Sequence, residues 1–360
     1  GDIYESIPTV NNGIDYNNIN YNFSDYYVGM HYRLKSGIFT LSPGFTAHAY
    51  NSKNSQFSVD YSDSFFKILP DFNAIIQLKK SESIRFNYAM RTQFTDVSKI
   101  AQGLVLNNYN SIFSGDNEIQ NAISHSFNLN YFSFNLFNYT NIFARVSYNK
   151  SIDQIRNLTT FESVVASSSP FNSPFADENF SANGRFQRQF GKIRASLSSG
   201  INFSKFNQYI SDINNPSISE NFSQNYGATV RTSFREAPNV ELGYNYSLTN
   251  NILGDVESKF YTKAPFIDVD ALILKSFTFR SRYTNTSFSN DRAVLNEYEF
   301  WDASLAYKKD QDSKWEFELK ATNLLNTKSQ NQSNTGNISI SSTEYFIQPR
   351  FITFRLVYDL

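Results

Sequence analysis

The constraint that most limits this chain is its last stretch, Phe351-Ile352-Thr353-Phe354-Arg355-Leu356-Val357-Tyr358-Asp359-Leu360. Ile352, Phe354, Leu356, Tyr358 and Leu360 fall on one phase, and Thr353, Arg355 and Asp359 on the other. Successive side chains of a strand point to opposite faces, so this segment has one greasy face and one wet face. The pattern recurs upstream. Trp315, Phe317, Leu319 and Ala321 alternate with Glu316, Glu318 and Lys320. Val240, Leu242, Tyr244, Tyr246 and Leu248 alternate with Glu241, Asn245 and Ser247. Ile84, Phe86, Tyr88 and Met90 alternate with Arg85, Asn87 and Arg91, and Val28, Met30, Tyr32 and Leu34 with Gly29, His31 and Arg33. A helix would scatter these charges around its circumference, so the expected class is all-β.

Composition says which kind. Mean hydropathy is −0.44, yet 17% of the residues are aromatic, with 35 Phe and 23 Tyr. No stretch approaches the ~18 uninterrupted apolar residues of a membrane-spanning helix. Polar on average, rich in aromatics and alternating throughout is the signature of an antiparallel, up-and-down transmembrane β-barrel. The net charge of −1, with Lys and Arg dispersed, gives no nucleic-acid footprint. The chain has no Cys, which excludes disulfides, thiolate metal sites and a thiol nucleophile.

Tight links join the strands at Lys35-Ser36-Gly37, Lys79-Lys80-Ser81, Asn135-Leu136, Gly191-Lys192, Ala237-Pro238-Asn239, Lys275-Ser276 and Gln311-Asp312-Ser313. Between them lie longer segments rich in Asn, Ser and Asp, such as Tyr50 to Ser64, Thr95 to Asn121 and Lys150 to Glu178. Outer-membrane barrels have short periplasmic turns and long extracellular loops, so the tight links are expected in the periplasm. The count is about fifteen strands. Complete bacterial barrels have an even number, so residues 1–360 are expected to be the C-terminal portion of a larger barrel. The chain opens on Gly1-Asp2-Ile3-Tyr4-Glu5 without a signal-peptide pattern.

Three segments resemble the barrel of TonB-dependent outer-membrane transporters. Ala321-Thr322-Asn323-Leu324-Leu325-Asn326-Thr327-Lys328 is similar to that family's penultimate strand and its Asn-Leu-Phe-Asn-like exit. Gln348-Pro349-Arg350 resembles its Pro-Arg entry to the final strand, and Gly115-Asp116-Asn117-Glu118-Ile119 its Gly-Asn-Pro-Asp-Leu loop. Asp116-Asn117 replaces the usual Asn-Pro, and Leu360 stands where an aromatic C-terminus is usual. The resemblance implies a 22-stranded barrel around a plug, import of a scarce solute, and an energy-coupling inner-membrane partner. The style of the chain also resembles importers that work with a surface lipoprotein lid. A scaffold role in a larger outer-membrane assembly is the alternative. No cofactor is implied.

Candidate site residues follow from phase and position. Arg85, Arg91, Arg145, Arg194, Asp268, Asp270, Arg280, Arg282, Glu316 and Glu318 occupy wet phases and are expected to face the lumen and a plug. Asp268-x-Asp270 and Glu316-x-Glu318 each put two carboxylates on one face, a pattern that suits calcium or acid–base chemistry. In a barrel, charged lumen residues are the rule, so they are read as interior charges. His31, His48 and His125 are far apart in sequence and are read as polar filling rather than metal ligands. No nucleophile stands with a positioned base, so no enzyme is expected. Tyr109, Phe113, Phe171 and Phe175 lie in the long loops and are the candidate contacts for solute or lid.

Overall fold

The computed structural model describes residues 19–358 except 211, 236–237, 311 and 336–339. Gly1 to Glu5, Ala237, Gln311, Asp359 and Leu360, named above, lie outside the described residues. The described residues are almost entirely strand. In order these are β1 (Asn20–His31), β2 (Leu34–Ser36), β3 (Phe39–Gln56), β4 (Val59–Lys79) and β5 (Glu82–Gln93). The short helix α1 (Val97–Ile100), β6 (Val105–Asn108) and β7 (Ser111–Phe113) follow, then β8 (Ala122–Asn135) and β9 (Thr140–Ile152). Next come β10 (Ile155–Glu162), β11 (Val165–Asn172), β12 (Asp177–Phe190), β13 (Ile193–Ile210), β14 (Ser217–Thr232) and β15 (Asn239–Leu253). The last are β16 (Val256–Ile273), β17 (Phe277–Asn290), β18 (Val294–Lys308), β19 (Trp315–Thr322), β20 (Ser329–Thr335), β21 (Ile340–Phe346) and β22 (Phe351–Tyr358).

Twenty of these strands form one sheet. Its body is an up-and-down meander, β1/β2–β3–β4–β5–β8–β9, then β12 through β19, then β22, every neighbour antiparallel. β1 and β2 both pair with β3, so they are one strand interrupted at Tyr32 and Arg33. Counted so, the meander has fifteen strands, the order of a β-barrel wall. Among the described residues the outer edges of β1 and β22 carry no partner strand. The tight links all fall at one end; at Gly191, φ of +60° supplies the left-handed residue that such a turn requires.

Two expectations need correction. Tyr50 to Ser64 is not a loop. β3 and β4 run on as a continuous hairpin closed by Phe57 and Ser58, at φ +54° and +61°. Tight turns also close β15–β16 at Gly254 and β17–β18 after Asn290, so short and long connections do not simply alternate. Nor is Lys150 to Glu178 an irregular loop. It holds the hairpin β10–β11, which leaves the meander. β11 pairs in parallel with β7, β7 pairs antiparallel with β6, and β10 pairs in parallel with the tip of β13 through Leu158↔Tyr209 and Thr159↔Ile210. The segments 95–121 and 153–176 thus build one small sheet, a lobe seated on the end opposite the tight links.

The register separates two faces. One is continuously apolar, as in the row Val230–Leu242–Ile267–Tyr283–Trp301 and the row Leu305–Leu319–Phe354. It is open to its surroundings, with Val28 69% and Met30 64% exposed, which is why so few apolar residues are buried. Trp315 packs on Tyr358 at 4.7 Å and Phe277 on Tyr307 at 4.9 Å near the tight-link end. Beyond Trp301, toward the other end, the same face turns polar with Glu299, Glu297 and Asn285.

Candidate functional site

The opposite face holds the polar candidates. Following the pairing from strand to strand, Arg85, Arg91, Arg145, Arg194, Asp268, Asp270, Arg280, Arg282, Glu316 and Glu318 all project from this single face. Near the tight-link end, Asp268, Asp270, Arg280, Arg282 and Glu318 line a recess of about 410 Å³ together with Arg231, Glu241, Asp302 and Lys320. Arg231 pairs with Glu241 at 3.5 Å, Arg282 with Asp268 at 3.6 Å, and Arg355 of the last strand with Glu318 at 2.9 Å. Arg282 also lies over the Phe266 ring, 5.2 Å from its centroid. That ring covers Gly243, where any Cβ would meet it at 2.1 Å, so glycine is what lets the aromatic lie flat on the wall.

His31 and His48 share this face. His31 meets Asp71 at 2.9 Å. His48 meets Asp25 at 2.9 Å and is stacked against Tyr27 and Tyr50, each at 5.3 Å. His125 points to the other face, 3.0 Å from the Tyr88 hydroxyl. The three histidines are not brought together.

The lobe contains the four loop aromatics but does not bring them together. Tyr109 stands at the β6–β7 tip, 92% exposed. Phe113 is half-buried in β7, and Phe175 is exposed. Phe171 packs its edge on Tyr209, 4.7 Å between centroids, and so holds the lobe to the tip of β13. A hydrogen-bonded anchor surrounds this contact, and sequence reasoning missed it. Buried Asp177 accepts from Arg156 of β10 and from the backbone N–H of Asn207. Ser173 bonds the Tyr209 hydroxyl, and burial pushes that phenol up. Gln120 and Asn172 exchange two bonds of 2.8 Å between the two loop segments. Asp96 caps α1 by accepting from the N–H groups of Ser98 and Lys99. The Ser98 hydroxyl is the main cause that holds its carboxyl below the usual range.

The Asn-Leu-Leu-Asn exit is a second anchor. Asn323, only 4% exposed and at φ +52°, donates to the carbonyls of Thr327 (2.8 Å) and Gln348 (3.0 Å) and accepts from the N–H of Thr327 (2.8 Å). Its own N–H reaches Asp302 at 2.8 Å, and Asn326 accepts from Arg350 N–H at 3.2 Å. One side chain therefore ties both ends of the last loop to the wall. Asn323→Ala is expected to cost roughly 1–3 kcal/mol, because it removes three hydrogen bonds to the backbone of half-buried Thr327 and of Gln348. The check is the midpoint of a urea unfolding titration beside that of Asn326→Ala, which loses less.

No family model and no curated protein matches the chain. Among solved structures, P. aeruginosa FpvA bound to heterologous pyoverdines aligns with 95% of this chain at 10% identity and a TM-score of 0.34. The chain spans 59% of the length of that protein.

Proposed function

We propose that this chain is the greater part of the barrel of an outer-membrane active importer of the TonB-dependent type. The observation that carries the reading is the division of the meander into one face with a broad apolar band and one polar face. Apolar runs such as Tyr26 to Leu34 and Val240 to Leu248 have the ~9–11 residues that a tilted strand needs to cross hydrocarbon. Trp315, Tyr307 and Tyr358 at one rim and Trp301 with Tyr283 at the other suit the aromatic girdles of the two interfaces. In this reading the apolar face meets outer-membrane lipid and the polar face lines the lumen. The lobe lies outside the cell.

The unpaired edges of β1 and β22 cannot stand in hydrocarbon, which offers no partner to backbone N–H and C=O groups. Earlier strands of the same polypeptide complete the ring, to 22 in this family, around a plug. An inner-membrane energy-coupling protein acts on that plug. The lobe, with Tyr109 and Phe175 exposed, is the outer contact for solute or for a surface lipoprotein. Its separate small sheet, built from two loop segments, also favours a second reading, a scaffold subunit of an outer-membrane assembly.

The test is to delete the β6–β7 and β10–β11 hairpins separately in the full-length protein. Heat-modifiable mobility is expected to persist, since the meander does not depend on the lobe for its ladder, while solute uptake or lipoprotein binding is lost. Unchanged uptake with loss of a multi-subunit assembly would favour the scaffold. Unchanged uptake and unchanged partners would overturn both.

A further inference from the structure

The polar face is not uniform. From β14 to β22 three of its guanidinium groups pair with carboxylates, Arg231 with Glu241, Arg282 with Asp268 and Arg355 with Glu318, and Arg280 stands in the recess that Asp268, Asp270 and Asp302 line. On β5, β8, β9, β12 and β13 the same face carries one carboxylate, Asp177, and Arg156 of the lobe occupies it. Here the arginines are held by neutral groups. Arg145 donates to Asn128 (3.1 Å), Arg185 to Gln187 (3.4 Å) and Arg194 to Gln189 (3.4 Å). Arg85 and Arg91 make no ion pair among the described residues. An amide acceptor orients a guanidinium without cancelling its charge, so this half of the wall keeps a net positive field and spare donors.

The placement is ordered. Arg85, Asn130, Arg145 and Asn183 form one register row across four adjacent strands, with Arg185 two residues from Asn183. Neighbouring strands lie about 4.8 Å apart, so Arg85 and Arg145 leave the wall roughly 10 Å from each other. The side chains of Asn87, Asn130, Asn149 and Asn183 have no hydrogen-bond partner among the described residues, and each offers an acceptor and two donors. Two recesses open here: one of about 950 Å³ from β1 to β9, where Asn87, Arg91, Asn130, Arg145 and Asn149 stand with Asp25 and Asp71, which meet His48 and His31, and one of about 480 Å³ from β9 to β16, where Arg185 is the one charged lining residue.

We infer that this half-wall binds an anionic, hydroxyl-rich solute, an acidic oligosaccharide bearing carboxylate or sulfate groups. Guanidinium groups take the anionic oxygens in paired, charge-assisted hydrogen bonds. The free amides match hydroxyls, which both donate and accept. In the half from β14 to β22 the cations, Arg280 and Lys320 included, share one recess with Glu241, Asp268, Asp270, Asp302 and Glu318, and that half is the internal contrast. The inference deepens the importer reading and rests on it.

The test is calorimetric titration of the purified full-length protein with two acidic probes and their neutral counterparts: trigalacturonate against its methyl ester, and sulfated against unsulfated maltotriose. At least one acidic probe is expected to bind, with its neutral counterpart at least tenfold weaker. Arg85→Gln, Arg145→Gln and Arg185→Gln should each weaken that probe roughly tenfold to a hundredfold, the worth of one charge-assisted hydrogen bond. Arg282→Gln, in the neutralised half, should leave the affinity unchanged. Equal binding of acidic and neutral probes, no binding of either acid, or unchanged affinity in the three variants would overturn the inference. So would variants that lower only the thermal stability of the full-length protein, which would assign these arginines to an acidic protein segment inside the barrel. Uptake does not enter the titration, so a transporting protein that ignores charge sinks the inference and leaves the importer reading standing.

Discussion

Leu319→Arg is expected to destabilise the folded protein by about 2–4 kcal/mol in a lipid environment, while Lys320→Leu, one residue on, should be mild. Leu319 sits mid-row between Leu305 and Phe354 on the apolar face, and it is 51% exposed. In water an exposed leucine tolerates arginine, so a large penalty measures the hydrocarbon around it. Lys320 projects from the polar face into the charged recess, where loss of one cation among several charges changes little. Urea titrations of protein refolded into phosphatidylcholine vesicles give both values. Equal destabilisation by the two substitutions would contradict the assignment of the faces.

The second large effect lies in the lobe. Asp177→Ala should cost about 3–5 kcal/mol, because Arg156 is left without its partner in a mostly enclosed position and the Asn207 N–H loses its acceptor. The loss should be local. Apart from the contacts of Arg156, β10 pairs with the wall through two register positions on β13, so the lobe can release while the meander holds. Limited proteolysis is expected to cut between residues 153 and 176 in the variant and not in the parent, with hydrogen exchange rising in β10 and β11 but not in β12. If β12 loosened equally, the lobe and the wall would be one cooperative unit.

The period-two signal made the meander legible. It predicted the strands wherever one face is apolar, and with them a count of about fifteen and the shared face of the ten charged candidates. It did not read the strands where both faces are polar. In Tyr50 to Gln56 no apolar phase recurs among the Asn and Ser residues, and the burial of Tyr50, Asn54 and Gln56 depends on segments distant in sequence, which leave no periodic cue. The lobe was hidden for a related reason. β10 and β11 are short and rich in Ser and Thr, and their parallel partners lie far away in sequence. Asp177 gave no local cue, because its partner Arg156 is on another strand and its burial depends on the lobe being seated. The Asn323 motif was visible as a pattern, but only the contacts explain why asparagine is needed: one short side chain must donate twice and accept once at a left-handed position.

The pairing order also bears on how such a wall is made. Nearly every strand of the meander lies beside its neighbour in sequence, and only the β5–β8, β9–β12 and β19–β22 joints step over an inserted hairpin. A chain wired this way grows like a zip. Each new hairpin hides the edge left by the last one and presents a fresh edge of its own, so a growing wall always has one raw margin. Searching for distant partners is largely unnecessary, which shortens the interval in which bare margins can join a neighbouring chain. The three inserted hairpins are the places where the zip must pause, and they are where assembly intermediates should accumulate.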